Sequence, residues 1–142
     1  MYKIKVISNF SAAHSLREYK GKCESLHGHN WKVEVIISSR ELDRAGMVID
    51  FGELKIIVNR VLEKLDHKHL NELEYFSVSY GGNVNPSCEE ISRYLFEKLK
   101  DDIVKNNCRL DEVRVWETAN SCAIYSDDTS PRPAKKLKNK KL

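Results

Sequence analysis

The chain has 142 residues, of which 41% are apolar and 32% are charged. This length fits one domain with a core of its own, and the composition is that of an ordinary globular protein. The apolar runs are only a few residues long, so the sequence predicts neither a membrane span nor a secretory signal, and we expect a cytoplasmic protein. The four cysteines include no CxxC pair, which argues against a redox motif or a zinc ribbon.

The net charge of +3 originates at the C-terminal end of the chain. Six of the 24 basic residues follow Thr129, where there are no acids, so the rest of the chain carries 18 basic and 21 acidic residues. We therefore expect one domain over residues 1–127 and a basic, disordered tail over residues 128–142. The tail has no stacking aromatics and no reading motif, which favours a solvated extension over a nucleic-acid-binding arm.

Two alternating segments predict strands. Apolar residues alternate with lysines and other polar residues over Tyr2–Phe10 and over Trp31–Ile37. Extending each alternation puts His14 on the apolar side of the first strand, and His27 and His29 on the apolar side of the second. The three imidazoles should therefore face the core near one end of an antiparallel pair, provided that no bulge shifts the register.

The middle of the chain changes to a helical period. From Asp50 to Leu65 apolar residues recur at spacings of three and four, and Asp50 with Glu53 can form a capping box. Ser87 and Glu90 open a second helix by the same logic. The segment between the helices has no sustained period and is predicted to be a loop.

Two short alternating runs, Val113–Val115 and Cys122–Ile124, predict a final pair of strands joined by a tight turn near Asn120. The predicted order is therefore strand, strand, helix, helix, strand, strand. This order indicates an α+β domain with a four-stranded antiparallel sheet and both helices on one face.

The stretch from Phe10 to Trp31 holds three histidines and one cysteine at spacings that suit a metal site. Three imidazoles without a fourth protein ligand are typical of catalytic zinc, which keeps one position open for water or substrate. Cys23 is either a fourth ligand or a thiolate beside the metal. Imidazole ligands favour zinc over magnesium or calcium, and ligand type leaves iron, nickel and copper open.

Three further positions carry candidate chemistry. Asp66 and His67 are either a charged helix end or a carboxylate that orients a general acid or base, and the sequence leaves both interpretations open. His69 has no such neighbour and is expected at the surface. Glu117 follows Val113 and Val115 at steps of two, so in a strand its side chain should point to the same inward side as theirs. A ligand with amide or amidine donors would pair with the carboxylate there.

Six motifs occur in order over residues 1–126: FSAAH, C-x3-HGH, GMVIDF, LDHKHLNE, NPSCEE and VWETANSCAIY. Together they resemble the 6-pyruvoyl-tetrahydropterin synthase family. The three-residue gap between Cys23 and His27 resembles the 6-carboxy-tetrahydropterin synthase branch of 7-deazaguanine (queuosine) biosynthesis, whereas the animal biopterin enzyme has a longer gap. This resemblance implies the T-fold, assembled as trimeric barrels that pair into hexamers with active sites at subunit boundaries.

The resemblance also implies a reaction. The substrate would be 7,8-dihydroneopterin triphosphate, and the products 6-carboxy-tetrahydropterin, acetaldehyde and triphosphate. By the same resemblance, His14, His27 and His29 bind Zn²⁺. The alternatives are a 6-pyruvoyl-tetrahydropterin synthase acting on the same substrate, and a pterin- or zinc-binding protein of this fold without turnover.

Roles for the other residues follow from the resemblance. Cys23 would be the proton acceptor, and Asp66 with His67 would relay the proton. Glu117 would anchor the aminopyrimidine ring of the pterin and take part in the relay.

One motif departs from the family pattern. Family members commonly carry Pro-Thr-x-Glu where this chain has a serine in place of the threonine, so Ser87 and Glu89 are implied substrate-binding residues, although Glu89 can equally serve the start of the helix. Arg17, Lys20 and Lys22, beside Cys23, either meet the triphosphate or form a solvated loop face.

Overall fold

The computed structural model describes residues 1–18, 25–78, 84–129 and 132–134. They fold as an α+β domain, which confirms the predicted fold class. The elements in chain order are β1 (Tyr2–His14), β2 (His27–Ser39), α1 (Phe51–Leu62), β3 (Lys68–His69), α2 (Cys88–Lys105), β4 (Arg109–Thr118) and β5 (Ser121–Tyr125). Neither described helix has the length and apolar character needed to span a bilayer.

The five strands form one sheet in the order β3-β1-β2-β4-β5. All pairs are antiparallel except β1 with β3. The expectation of four strands is therefore one short, because β3 has only two residues and a strand of that length leaves no periodicity to detect. The long β1–β2 ladder runs without a register shift from Tyr2 opposite Ser39 to His14 opposite His27.

Both helices begin directly after the residues predicted to cap them, Asp50 and Ser87. The carboxylate of Asp50 accepts a hydrogen bond from the backbone N–H of Glu53 at 3.1 Å, and the Ser87 hydroxyl accepts one from the N–H of Glu90 at 3.2 Å. Each bond satisfies a backbone donor that the first helical turn leaves free. These caps set the direction in which each helix leaves the preceding loop.

The core lies between the helices and one face of the sheet. A fully buried aliphatic or aromatic side chain contributes roughly 1.5–3 kcal/mol, so this apolar layer holds the helices on the sheet. Among its fully buried members are Phe10, Trp31, Val33, Leu54, Leu95 and Val115. Phe10 and Trp31 lie at the end of this layer that leads to the three histidines.

Candidate metal centre

Three histidines meet at one end of the β1–β2 ladder, and we call His14, His27 and His29 the histidine site. The ring centroids are 4.6 Å apart for His14 and His27, 5.3 Å for His14 and His29, and 4.8 Å for His27 and His29. One nitrogen from each ring and one carboxylate oxygen of Glu117 all lie within 4.8 Å of one another. The register is unbroken around Gly28, so the alternation along each strand carries these side chains to one place.

An aromatic floor supports the histidine site. Trp31 is fully buried and packs edge-to-face against two of the imidazoles. Its ring centroid lies 4.9 Å from that of His14 and 5.0 Å from that of His29. Its indole N–H donates to the carbonyl of Ala12 at 3.2 Å, which ties the floor to β1. Phe10 stacks beneath Trp31 at 6.0 Å. Packing of this kind restricts the imidazole rotamers before any ion arrives.

Two backbone carbonyls determine which imidazole nitrogens are free. His14 Nδ1 lies 2.7 Å from the carbonyl oxygen of Pro86, and His27 Nδ1 lies 2.7 Å from that of Ser25. A carbonyl only accepts hydrogen bonds, so in the neutral rings each Nδ1 carries the proton and each Nε2 carries a lone pair. Sequence reasoning missed these partners because every residue has a carbonyl, so no residue type marks them.

The two free nitrogens then face each other. His14 Nε2 and His27 Nε2 are 3.0 Å apart. Two lone pairs at this distance repel unless a proton or a cation lies near both. Zinc–nitrogen bonds of about 2.0–2.1 Å at a tetrahedral angle separate two ligand nitrogens by about 3.3 Å. The donor set of the histidine site therefore fits a bound metal ion.

His14 is also prepared electrostatically to bind a cation. It is 1% exposed, and burial lowers its pKa below the ordinary value of 6.5. The hydrogen bond to Pro86 opposes this effect, while the neighbouring His27 adds to it. The neutral imidazole, which is the form that binds metals, is therefore favoured at neutral pH.

Glu117 points inward, as its parity predicted. It lies where the β4–β5 register shifts, between Trp116 and Thr118. Its Oε1 is 3.1 Å from His29 Nε2 and 3.4 Å from His14 Nε2. A carboxylate in this position can act as a fourth ligand or accept hydrogen bonds from a bound molecule.

Asp66 and His67 form a pair on the outer edge of β1. The backbone N–H of Ser11 donates to Asp66 Oδ1 at 2.9 Å, and the N–H of His67 donates to the Ser11 carbonyl at 2.6 Å. Asp66 Oδ2 lies 3.0 Å from His67 Nδ1. The bond from Ser11, together with His67, holds the pKa of Asp66 below its usual range, so the carboxylate stays charged and orients the imidazole.

The Asp66–His67 pair stands apart from the histidine site. The His67 side chain is 83% exposed, and among the described residues no hydrogen bond or ion pair joins it to the three histidines. His67 and His29 do line the same surface groove, of about 510 Å³. His69, expected at the surface, lines this groove too, and its pairing in β3 opposite Ala13 leaves the side chain half-buried, at 32% exposed.

The two residues implied at the start of α2 have local roles. The Ser87 hydroxyl is engaged in capping, where it accepts from Glu90. Glu89 lies in the first turn, where a negative charge is favourable. The neighbouring Cys88 thiol donates to the carbonyl of Val115 at 3.0 Å, and burial raises its pKa to about 11, so it remains a neutral thiol.

The loop between β1 and β2 is described only in part. Cys23, Lys20 and Lys22 lie in residues 19–24, outside the described ranges. Arg17 is described, and its guanidinium Nη2 donates to two backbone carbonyls, those of Phe76 and Val84, each at 2.8 Å. These two bonds tie Arg17 to the backbone on either side of residues 79–83.

Comparison with known proteins gives consistent matches. The sequence model of the family described as 6-pyruvoyl tetrahydropterin synthase matches residues 3–128. The 6-carboxy-5,6,7,8-tetrahydropterin synthase of Haemophilus influenzae is 36% identical over 145 residues, covering 89% of this chain and 100% of that protein. The protein of the same name from Synechocystis is 35% identical, covering 82% and 87%. The structure of Caenorhabditis elegans 6-pyruvoyl tetrahydropterin synthase superposes with a TM-score of 0.74 at 29% identity, covering 89% and 95%.

Proposed function

We propose that this chain, which belongs to the 6-pyruvoyl tetrahydropterin synthase family, is a zinc-dependent 6-carboxy-5,6,7,8-tetrahydropterin synthase. It would convert 7,8-dihydroneopterin triphosphate to 6-carboxy-tetrahydropterin, acetaldehyde and triphosphate in 7-deazaguanine (queuosine) biosynthesis. The observation that carries the proposal is the histidine site, where two unprotonated Nε2 atoms face each other at 3.0 Å. The bacterial relatives of that name support the choice of branch.

Different residues of the chain would bind the metal, transfer protons and hold the pterin ring. A zinc ion held by the histidine site would supply Lewis acidity to the hydroxyl groups of the substrate side chain. Cys23 would take a proton from a carbon of that side chain. Asp66 keeps the Nδ1 proton of His67 in place, so that His67 Nε2 is free to accept and return a proton. Glu117 accepts hydrogen bonds from the aminopyrimidine edge of the pterin.

We further propose that the protein is a trimer or hexamer with active sites at subunit boundaries. Within the described residues, β5 has a strand partner on one side only, and β3 covers β1 only at Ala12 and Ala13. Open edges of this kind favour pairing between copies. The exposed His67 is then available to the histidine site of a neighbouring copy.

A complementation experiment tests the shared site. Cys23→Ala and His67→Ala are each expected to lose activity by about 10²–10⁴-fold, and mixing them under conditions that allow subunit exchange should restore part of it. Light scattering on the same samples gives the number of subunits. A mixture that stays inactive while the subunits exchange would place both residues in one subunit's site.

Product analysis tests the reaction itself. Zinc-loaded protein incubated with 7,8-dihydroneopterin triphosphate should release acetaldehyde, and mass spectrometry should detect the carboxy product. The second candidate is a 6-pyruvoyl-tetrahydropterin synthase, favoured by the similarity to the Caenorhabditis elegans structure. That enzyme sheds triphosphate without acetaldehyde, so the product mass separates the two. Substrate left intact by the zinc-loaded protein would refute both and leave the third possibility, a pterin- or zinc-binding protein without turnover.

A further inference from the structure

Two asparagine side chains take the place of a strand partner just after His14. The amide of Asn71 accepts from the backbone N–H of Ser15 at 2.9 Å and donates to the Ser15 carbonyl at 2.8 Å. The amide of Asn85 does the same to Arg17, at 2.8 Å for both bonds. A side-chain amide carries the same donor and acceptor as a peptide group, so each asparagine acts as one residue of a strand.

These bonds continue a regular pattern along the outer edge of β1. Ser11 bonds the Asp66 carboxylate and the His67 N–H on this edge, and Ala13 lies opposite His69 in β3. Successive bonded positions in a strand alternate, so the next two on the same edge are residues 15 and 17. Those are the positions that the two asparagines hold, so hydrogen bonding along the outer edge of β1 continues past its last strand residue, up to the turn that begins at Arg17.

Asn85 is connected to His14 in a second way. The residue after Asn85 is Pro86, whose carbonyl accepts from His14 Nδ1 at 2.7 Å. Asn85 thus holds the chain that leaves His14 and also the segment that determines the free nitrogen of His14. Asn71 holds only the chain, at Ser15.

We propose that Asn85 and Asn71 are positioning residues for the histidine site, and that Asn85 has the larger effect. They hold His14 through the backbone on its C-terminal side, and Asn85 also holds the carbonyl that directs His14 Nε2 toward the other two imidazoles. The inference rests on the metal site of the proposed function. It assigns the preorganisation of that site to two side chains whose described hydrogen bonds go to the backbone of Ser15 and Arg17 and not to the three histidines.

Metal binding by full-length variants tests the proposal without any substrate. Zn²⁺ affinity is measured by chelator competition, and the geometry of the site by the visible absorption of bound Co²⁺. Asn85→Ala should weaken Zn²⁺ binding about tenfold and alter the Co²⁺ spectrum, the usual effect of losing a group that orients a ligand. Asn71→Ala should cause a smaller change in the same direction. The matched control is Asn59→Ala. Asn59 lies on α1 and accepts a hydrogen bond from the exposed Ser8 hydroxyl, so this variant should bind both ions as the wild type does.

The isosteric variant Asn85→Asp keeps the acceptor for the Arg17 N–H and loses the donor to the Arg17 carbonyl. Its affinity should fall between that of the wild type and that of Asn85→Ala, and it replaces Asn85→Ala if circular dichroism shows that the alanine variant does not fold. A folded Asn85 variant with wild-type Zn²⁺ affinity and Co²⁺ spectrum would overturn the proposal. Wild-type protein that binds neither ion would instead overturn the metal site itself, which is a separate result.

Discussion

The chain contains two pairs of histidines with the same spacing, and the structure uses them differently. His27 and His29 lie in an unbroken strand, so both rings leave one face and meet 4.8 Å apart. His67 has a left-handed φ of 57°, which breaks the alternation, and its ring is 83% exposed beside Asp66. His69 pairs instead with Glu72 at 3.4 Å. A spacing of two therefore brings imidazoles together only where both residues keep strand geometry.

The partners of the two pairs suit different chemistry. In the first, backbone carbonyls hold the rings and leave lone pairs that face each other, an arrangement that suits a cation. In the second, a carboxylate holds His67 Nδ1 and leaves Nε2 toward solvent, an arrangement that suits proton transfer. If His27 and His29 bind the metal and His67 transfers the proton, variants of the two pairs should lose different properties.

The largest effect is expected for loss of a ligand. His27→Ala should weaken Zn²⁺ binding by more than about 100-fold, since changes to groups that merely orient ligands already cost about 10–100-fold. Activity should be lost with the metal. Isothermal titration of metal-free protein measures the affinity, and His69→Ala, with the same residue change in the other pair, is the control. An equal loss of Zn²⁺ affinity in His27→Ala and His69→Ala would show that the two pairs do not differ in metal binding.

The second prediction concerns turnover with the metal retained. His67→Ala should lower kcat by about 10²–10⁴-fold, the usual contribution of a general acid or base, because it removes the exposed Nε2 that transfers the proton. Its zinc content, measured by atomic emission, should stay at the wild-type level. A zinc-depleted His67→Ala protein would place this residue among the metal ligands and remove the distinction between the pairs.

The third prediction is a pH dependence of the metal-free protein. The pKa of buried His14 is lowered below its ordinary value of 6.5, so the unfolded chain binds a proton there more readily than the folded one. The stability associated with neutral His14 is present above pH 6.5 and is lost as the pH falls through the lower folded pKa. Urea unfolding between pH 5 and pH 8 should show this loss in the wild type and less of it in His14→Gln. An equal change in the free energy of unfolding with pH in the two proteins would contradict the role of His14.

The smallest effect is expected at His69. Glu72 is 79% exposed, so Glu72→Gln removes a surface pair and should change the free energy of unfolding by less than about 1 kcal/mol. Zinc affinity and turnover should be those of the wild type. A clear loss of either would mean that His69, and not only His67, belongs to the functional part of the second pair.

Local patterns were sufficient to predict much of this molecule. Alternation predicted β1 and β2 and placed His14, His27 and His29 on the core side, because a strand sends every second side chain to the same face. The caps at Asp50 and Ser87 predicted where the helices begin, because a cap bonds only to the next few residues. The presence and face of the histidine site were therefore readable without knowledge of the fold.

What holds the site in shape depends on contacts between distant parts of the chain. Pro86 is 72 residues from His14, Asn71 is 56 from Ser15, and Asn85 is 68 from Arg17, and no local pattern marks any of these bonds. The left-handed φ of His67 and the two-residue strand β3 likewise depend on a distant contact, because β3 forms only where the chain that follows α1 lies beside β1. Backbone preference acts over a few residues and can be read in order, whereas the pairing of remote polar groups is decided only when packing brings them together.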